Sequence, residues 1–219
     1  MRFRAPLWRG ACVTRESDKG AFSARWGAVS TEHMALEQAK ARLRLALVGR
    51  HFVESNGLAG RPFVGDVWES FAIDADEHMS YVLEAQSRRW NLGADELHQQ
   101  GSRALWEASR AIALEAKRPG DPALTGKYLV IATRDGYDAA RLAVKEMRDA
   151  IAKVLGYPFF AAIPNRDFLI AWSEDYAFSD EFADKVREDF ERQGYPISPL
   201  VYRVDRDDIQ AARVTASSP

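Results

Sequence analysis

The sequence predicts an α+β protein: N-terminal strands with three helices, then a C-terminal βαββαβ unit in ferredoxin-like order. Three observations carry this. Apolar residues step by three and four in some stretches and run in short blocks in others, and the two kinds of stretch are interleaved. Glycine, proline and short polar residues punctuate the boundaries between them. A chain of 219 residues, 47% hydrophobic and 28% charged, is also long and apolar enough to bury a core without covalent staples.

Taken in order, Ala21 to Trp26 alternates apolar and polar residues as a half-buried strand does. Thr31 opens a helix on which Leu36, Ala39, Leu43, Ala46 and Leu47 share one face. Gly57, Gly60 and Pro62 mark a loop, and Val67 to Ile73 reads as a strand. Asp74, with Glu77 three residues on, caps a second helix through Met79, Val82, Leu83 and Trp90, closed by Gly93 in the left-handed conformation. A third helix runs from Asp95 to Ala116, with Leu97, Ala104, Leu105, Ala108 and Ile112 in register, and the last two helices pack as a hairpin.

Lys117 to Pro122, with two prolines and a glycine, is the strongest break, so residues 1–118 form one subdomain and 119–205 another. Tyr128 to Thr133 is a strand. A helix capped by Asp135 follows, its core face Ala140, Val144, Met147, Ile151 and Val154, and Gly156 ends it. Phe159 to Ile163 and Phe168 to Trp172 are strands joined by the turn residues Pro164 to Asp167. Ser179 caps a helix with Phe178, Phe182, Val186 and Phe190 on its buried stripe, ended by Gly194 and Pro196. Leu200 to Val204 is the last strand, and residues 206–219 are a polar, disordered tail. This element order implies two helices on one face of a four-stranded antiparallel sheet.

Charge narrows the function classes. The formal net charge is -2, and residues 1–118 carry 17 basic and 15 acidic groups against 13 and 17 in 119–219. No segment has the basic field that attracts a phosphate backbone, so nucleic acid is excluded as a partner. The longest apolar stretches fall far short of the about 20 residues that span a bilayer, so no membrane partner is expected. The lone Cys12 excludes an internal disulfide and fits a reducing, cytoplasmic setting.

Asp135 to Leu142, Ala161 to Leu169 and Tyr195 to Pro199 together resemble the bacterial YtpQ-like family, a family of unknown function. The resemblance spans residues 66–205, is strongest after 126, and includes the helix from Asp95 to Leu105, where Gly101 to Ala104 departs from the pattern. It implies a soluble cytoplasmic protein and no particular activity.

Few residues invite chemistry. The histidines at 33, 51, 78 and 98 form no HxxxH or HExxH pair. Asp74, Glu77 and His78 are the one plausible metal trio, but acids at a helix start serve the helix itself, so no metal and no cofactor is expected. Gly60 to Asp66 copies the glycine spacing of a phosphate loop with Asp66 in place of the lysine, which repels phosphate. The remaining constellation is Arg134, Asp135, Tyr137 and Asp138 with Asn165, Arg166 and Asp167, at a strand end where backbone N–H groups and an arginine can receive an anion. The same residue types also build caps and turns with no ligand. Trp106 lies off its helix's apolar stripe, four residues before Arg110, and reads either as an exposed anchor for a protein partner or a second copy or as a side chain covered by a second subdomain. These features point to a non-catalytic binding or protein-interaction module, with a metal-independent acid/base or anion-handling enzyme using Asp135, Tyr137, Asp138 and Arg166 as the alternative.

Overall fold

The computed structural model describes residues 36–75 and 78–212. The predicted strand Ala21 to Trp26, the helix start at Thr31, Cys12, His33, Glu77 and residues 213–219 of the predicted tail lie outside these residues. Two antiparallel sheets and the helices packed on them make up the fold, which is α+β.

In the first half, α1 (Leu36–Arg42) is followed directly by β1 (Leu43–Gly49). The predicted helix through Leu47 is therefore cut short. Leu43, Leu45 and Leu47 also satisfy a period of two, and pairing with β3 (Val67–Ala75) along the whole strand, from Leu43 opposite Ile73 to Gly49 opposite Val67, decides between the periods. A helix absent from the prediction, α2 (Arg50–Asn56), ends on Gly57 at φ 60, and the expected loop beyond it is strand β2 (Gly60–Val64). Pro62 is tolerated because β2 pairs on one side only, with β3.

Asp74 caps no helix. It sits in β3 opposite Met79 of β4 (His78–Tyr81), so the predicted second helix is a β-hairpin followed by the short α3 (Glu84–Arg89). The expected helical hairpin is correspondingly missing. The left-handed residue after α3 is Asn91 (φ 53); Gly93 is extended and precedes α4 (Ala94–Ser109), its N–H donating to the Glu96 carboxylate. α4 stops at Ser109, short of Ala116, and its buried face is Leu97, Gly101, Leu105 and Ser109. Ala108, predicted inward, is exposed. At Gly101 the helix lies against the backbone of β1, where an added Cβ would stand 3.0 Å from the Leu45 nitrogen. β2 and β4 share one edge of β3, and the gap between them closes where the Val82 N–H donates to the Phe71 carbonyl at 2.8 Å.

The second sheet runs β5 (Tyr128–Ile131), β7 (Leu169–Ser173), β6 (Phe159–Ala162), β8 (Val201–Val204) and β9 (Ile209–Ala211), with neighbours antiparallel throughout. The strand-helix-strand-strand-helix-strand order along the chain holds, and β9 extends it within residues 206–219, predicted as a disordered tail, because Ile209 to Ala211 find β8 as a pairing partner. The order within the sheet differs from the ferredoxin-like one, because β8 pairs with β6 and not with β5. One cause explains this. α5 (Lys145–Leu155) packs on the face of Leu129, Ala161 and Leu169, whereas α6 (Ser179–Arg192) packs on the opposite face with Ala162, Ile170 and Trp172. With α6 on that face, the right-handed sense that crossovers prefer delivers β8 to the far side of β6.

Asp135 does not cap α5. A 3₁₀ turn, Ala139–Leu142, comes first, and the helix begins at Lys145 with Met147, Ile151 and Leu155 inward in place of Val154. Ser179 does not cap α6 either; its hydroxyl accepts the Trp172 indole N–H at 2.9 Å, and the helix ends at Arg192, ahead of Gly194. The principal core lies between the sheets. It joins Leu45 and Phe71 with Leu97 and Leu105 of α4 and with Ile131, Phe159 and Tyr202, so it takes in residues from both sides of Lys117 to Pro122. Each large apolar side chain fully buried here contributes about 2–3 kcal/mol.

Candidate functional site

The two predicted segments meet. Beyond β5 the chain turns through Arg134 (φ 62) and Gly136 (φ 88), and the Ala139 N–H donates to the Arg166 carbonyl at 3.1 Å. A Cβ at Gly136 would stand 3.0 Å from the Met79 methyl and 3.7 Å from Arg166 Nε, so this turn fits closely beneath the Asn165 to Asp167 loop. Arg141, which sequence reasoning passed over, organises the first segment. Its side chain is 1% exposed, and its guanidinium donates to Asp138 at 2.7 Å, to Asp135 and to the Ser109 hydroxyl at 2.9 Å. Asp138, wholly buried, also accepts from the Thr133 hydroxyl at 2.7 Å and from the Arg134 N–H at 2.8 Å. Asp135 also accepts the Tyr137 N–H at 2.9 Å. Burial alone would raise the Asp135 carboxyl, but the hydrogen bonds and charge of Arg141 outweigh it and hold the group below its usual range.

Tyr137 is buried, its hydroxyl has no hydrogen-bond partner among the described residues, and burial pushes the phenol well above its ordinary range. Arg166 stacks its guanidinium 3.8 Å from the Tyr195 ring centre and reaches Asp167 at 3.3 Å, while Asn165 Oδ1 accepts the Asp167 N–H at 3.0 Å. These residues hold one another and line no cleft among those described.

A cleft of about 770 Å³ opens elsewhere, between β2, α4, the start of α5 and the β8–β9 turn. At its inner end Glu69, 2% exposed, interrupts the inward row Val67, Phe71 and Ile73 of β3. One of its oxygens, Oε2, accepts from His98 Nδ1 at 2.7 Å and from Arg61 Nε at 2.7 Å, and Arg61 continues to Asp95 at 2.6 Å. Since a carboxylate only accepts, Nδ1 carries the proton, and in the neutral ring Nε2 is an acceptor. Nε2 makes no hydrogen bond with the described residues.

Arg148 lines the same end. Its Nη1 donates to the carbonyls of Leu142 and Ala143, each at 2.9 Å, and burial lowers its pKa despite the charges of Glu69 and Asp149. Along α4 the wall continues with Ser102, whose hydroxyl is buried without a partner among the described residues, and with Trp106, which is half-buried and has the Arg110 guanidinium 5.9 Å from its ring centre. The acids at the rim, Glu146, Asp207 and Asp208, are exposed, where water screens them.

Sequence reasoning named Trp106 and missed Glu69, His98, Arg61 and Arg148. The available signal was Glu69 itself, a carboxylate at a core-facing strand position, which needs a partner when buried. Among the described residues there is no group of three or more His, Cys, Asp or Glu side chains placed to hold a metal, and no helix is long and apolar enough to cross a membrane. No family model, curated protein or solved structure matches the chain.

Proposed function

We propose that the protein is a binding module for a small organic anion, seated in the cleft between α4 and α5. The observation that carries this reading is Arg148, a half-buried guanidinium on the cleft wall whose hydrogen-bond partners among the described residues are carbonyl oxygens. Burial opposes its charge, and an arriving anion restores what water no longer supplies. Glu69 does not fill that role: its Oε2 serves Arg61 and His98, and among the described residues the hydrogen bonds of Arg148 go to carbonyls. The half-buried Trp106 gives the ligand's organic part a flat, apolar surface in the same cleft. The reading takes nothing from the YtpQ-like resemblance, which offers no chemistry.

Purification of the tagged chain at native level, followed by mass spectrometry of released small molecules, tests this. An anionic compound near one per chain is expected, lost in Arg148→Met. Recovery of a stoichiometric protein partner with no small molecule overturns it.

A further inference from the structure

We infer that the inner end of the cleft is a site for a tetrahedral dianion of the phosphoryl class, and that His98 enters the complex as an imidazolium. The inference rests on the anion-binding reading above and adds the ligand's charge and geometry and the proton that accompanies it.

Charge matching comes first. The groups facing His98 from β3 and β2 are Glu69 and Arg61, and these offset each other across a shared oxygen. From α5 the cleft receives Arg148, within electrostatic reach of Glu69, together with the exposed Lys145 and Glu146. On α4 itself, Asp95 bonds Arg61 but is exposed, so water screens it as it does the rim; Arg103 is exposed, and the β8–β9 turn adds exposed Asp207 and Asp208. Setting aside the screened rim, the inner end holds one net positive charge with neutral His98 and two with the imidazolium. A monoanion is matched by Arg148 alone; a dianion calls for both.

Geometry adds to this. A planar carboxylate is satisfied by one guanidinium fork, which leaves an imidazole idle. Donors on α4 and α5, approaching from different sides, suit an anion with oxygens pointing in several directions. Glu69 is what lets His98 serve. Fixing the proton on Nδ1 leaves Nε2 as an acceptor in the empty cleft, and Nε2 becomes a donor to the anion only by taking up a proton. The eight steps along α4 from His98 to Trp106 span about 12 Å of helix. That leaves room for a phosphorylated compound with its charged end at His98 and its body against Trp106.

Sulfate is the probe, because it is a tetrahedral dianion whose charge does not change near neutral pH. Isothermal titration of the whole chain near pH 7, in buffers of different ionisation enthalpy, reads the protons taken up per anion bound. The expected result is net proton uptake on binding, with a downfield imidazole NMR shift for His98 as sulfate is added. His98→Gln should bind sulfate about tenfold more weakly and without uptake. Sulfate binding that depends on Arg148 but takes up no proton overturns the imidazolium and leaves the anion-binding reading standing. Acetate binding as tightly as sulfate overturns the dianion. Absence of binding by either anion removes both readings together.

Discussion

Arg141 and Asp138 face each other at 2.7 Å with 1% and 0% of their side chains exposed, and the same guanidinium reaches Ser109 at the end of α4. This pair fastens the turn between β5 and α5 to the helix that carries His98. Removing one partner strands a buried charge, so Arg141→Met should lower unfolding free energy by about 3–5 kcal/mol in urea titration. The paired change Arg141→Met with Asp138→Leu should recover part of that loss. A single variant as stable as wild type would show that the pair does not hold the turn.

The Tyr137 hydroxyl is buried without a partner among the described residues, and an unmade hydrogen bond in the interior costs free energy. Tyr137→Phe removes the polar atom and keeps the ring. The expected gain is about 1 kcal/mol, read as a higher urea midpoint with unchanged slope. A loss of similar size would mean that the hydroxyl is hydrogen-bonded in solution.

Burial raises the Tyr81 phenol from 10.0 to about 12, with Arg166 opposing. The folded state therefore favours the protonated ring. Its contribution is complete below pH 10, the ordinary value, and is lost as pH climbs through about 12. Phenolate absorbance and circular dichroism followed together should show unfolding in that window, and Tyr81→Phe should flatten the alkaline limb. An unchanged limb in the variant would assign the loss to other tyrosines.

Gly101 sets how closely α4 approaches β1. An alanine Cβ there would meet backbone at 3.0 Å and 3.3 Å, in a strand paired along its full length and unable to yield. Alanine's helix propensity favours the change by about 1 kcal/mol, yet the contact should win, and Gly101→Ala should lower both the urea midpoint and sulfate affinity. A more stable variant with intact affinity would show that α4 has room to shift.

How far the sequence could be read depended on whether local pattern and tertiary pairing agreed. In β5, β6 and β7 they agree, since helices cover both faces of these strands and the connection between β6 and β7 is short, so the strands were legible within a residue or two. In Leu43–Gly49 they compete. The leucines fit a helical stripe and a strand equally well, and only the partner strand, more than twenty residues on, decides. Asp74 and Glu77 have the spacing of a cap and lie instead in and beside a strand pairing, because β3 continues past Ile73 to find β4. For the site, the segments Arg134 to Asp138 and Asn165 to Asp167 do come together, a point the sequence left open because the two could equally stand at opposite ends of the sheet. The cleft was not legible because its parts belong to four separated elements. His98 carries no motif until Glu69, 29 positions away, is folded against it.

That separation gives the cleft a thermodynamic signature. Arg61, Glu69, His98 and Arg148 assemble only where both sheets and α4 share a core, so the unfolded chain offers a ligand no comparable site. Any compound that occupies the cleft must then hold the native state in place, by about 2.7 kcal/mol at a hundred times its dissociation constant. Melting temperature across a library of phosphorylated and other anionic compounds thus becomes a direct assay for the natural occupant, with no knowledge of its reaction required.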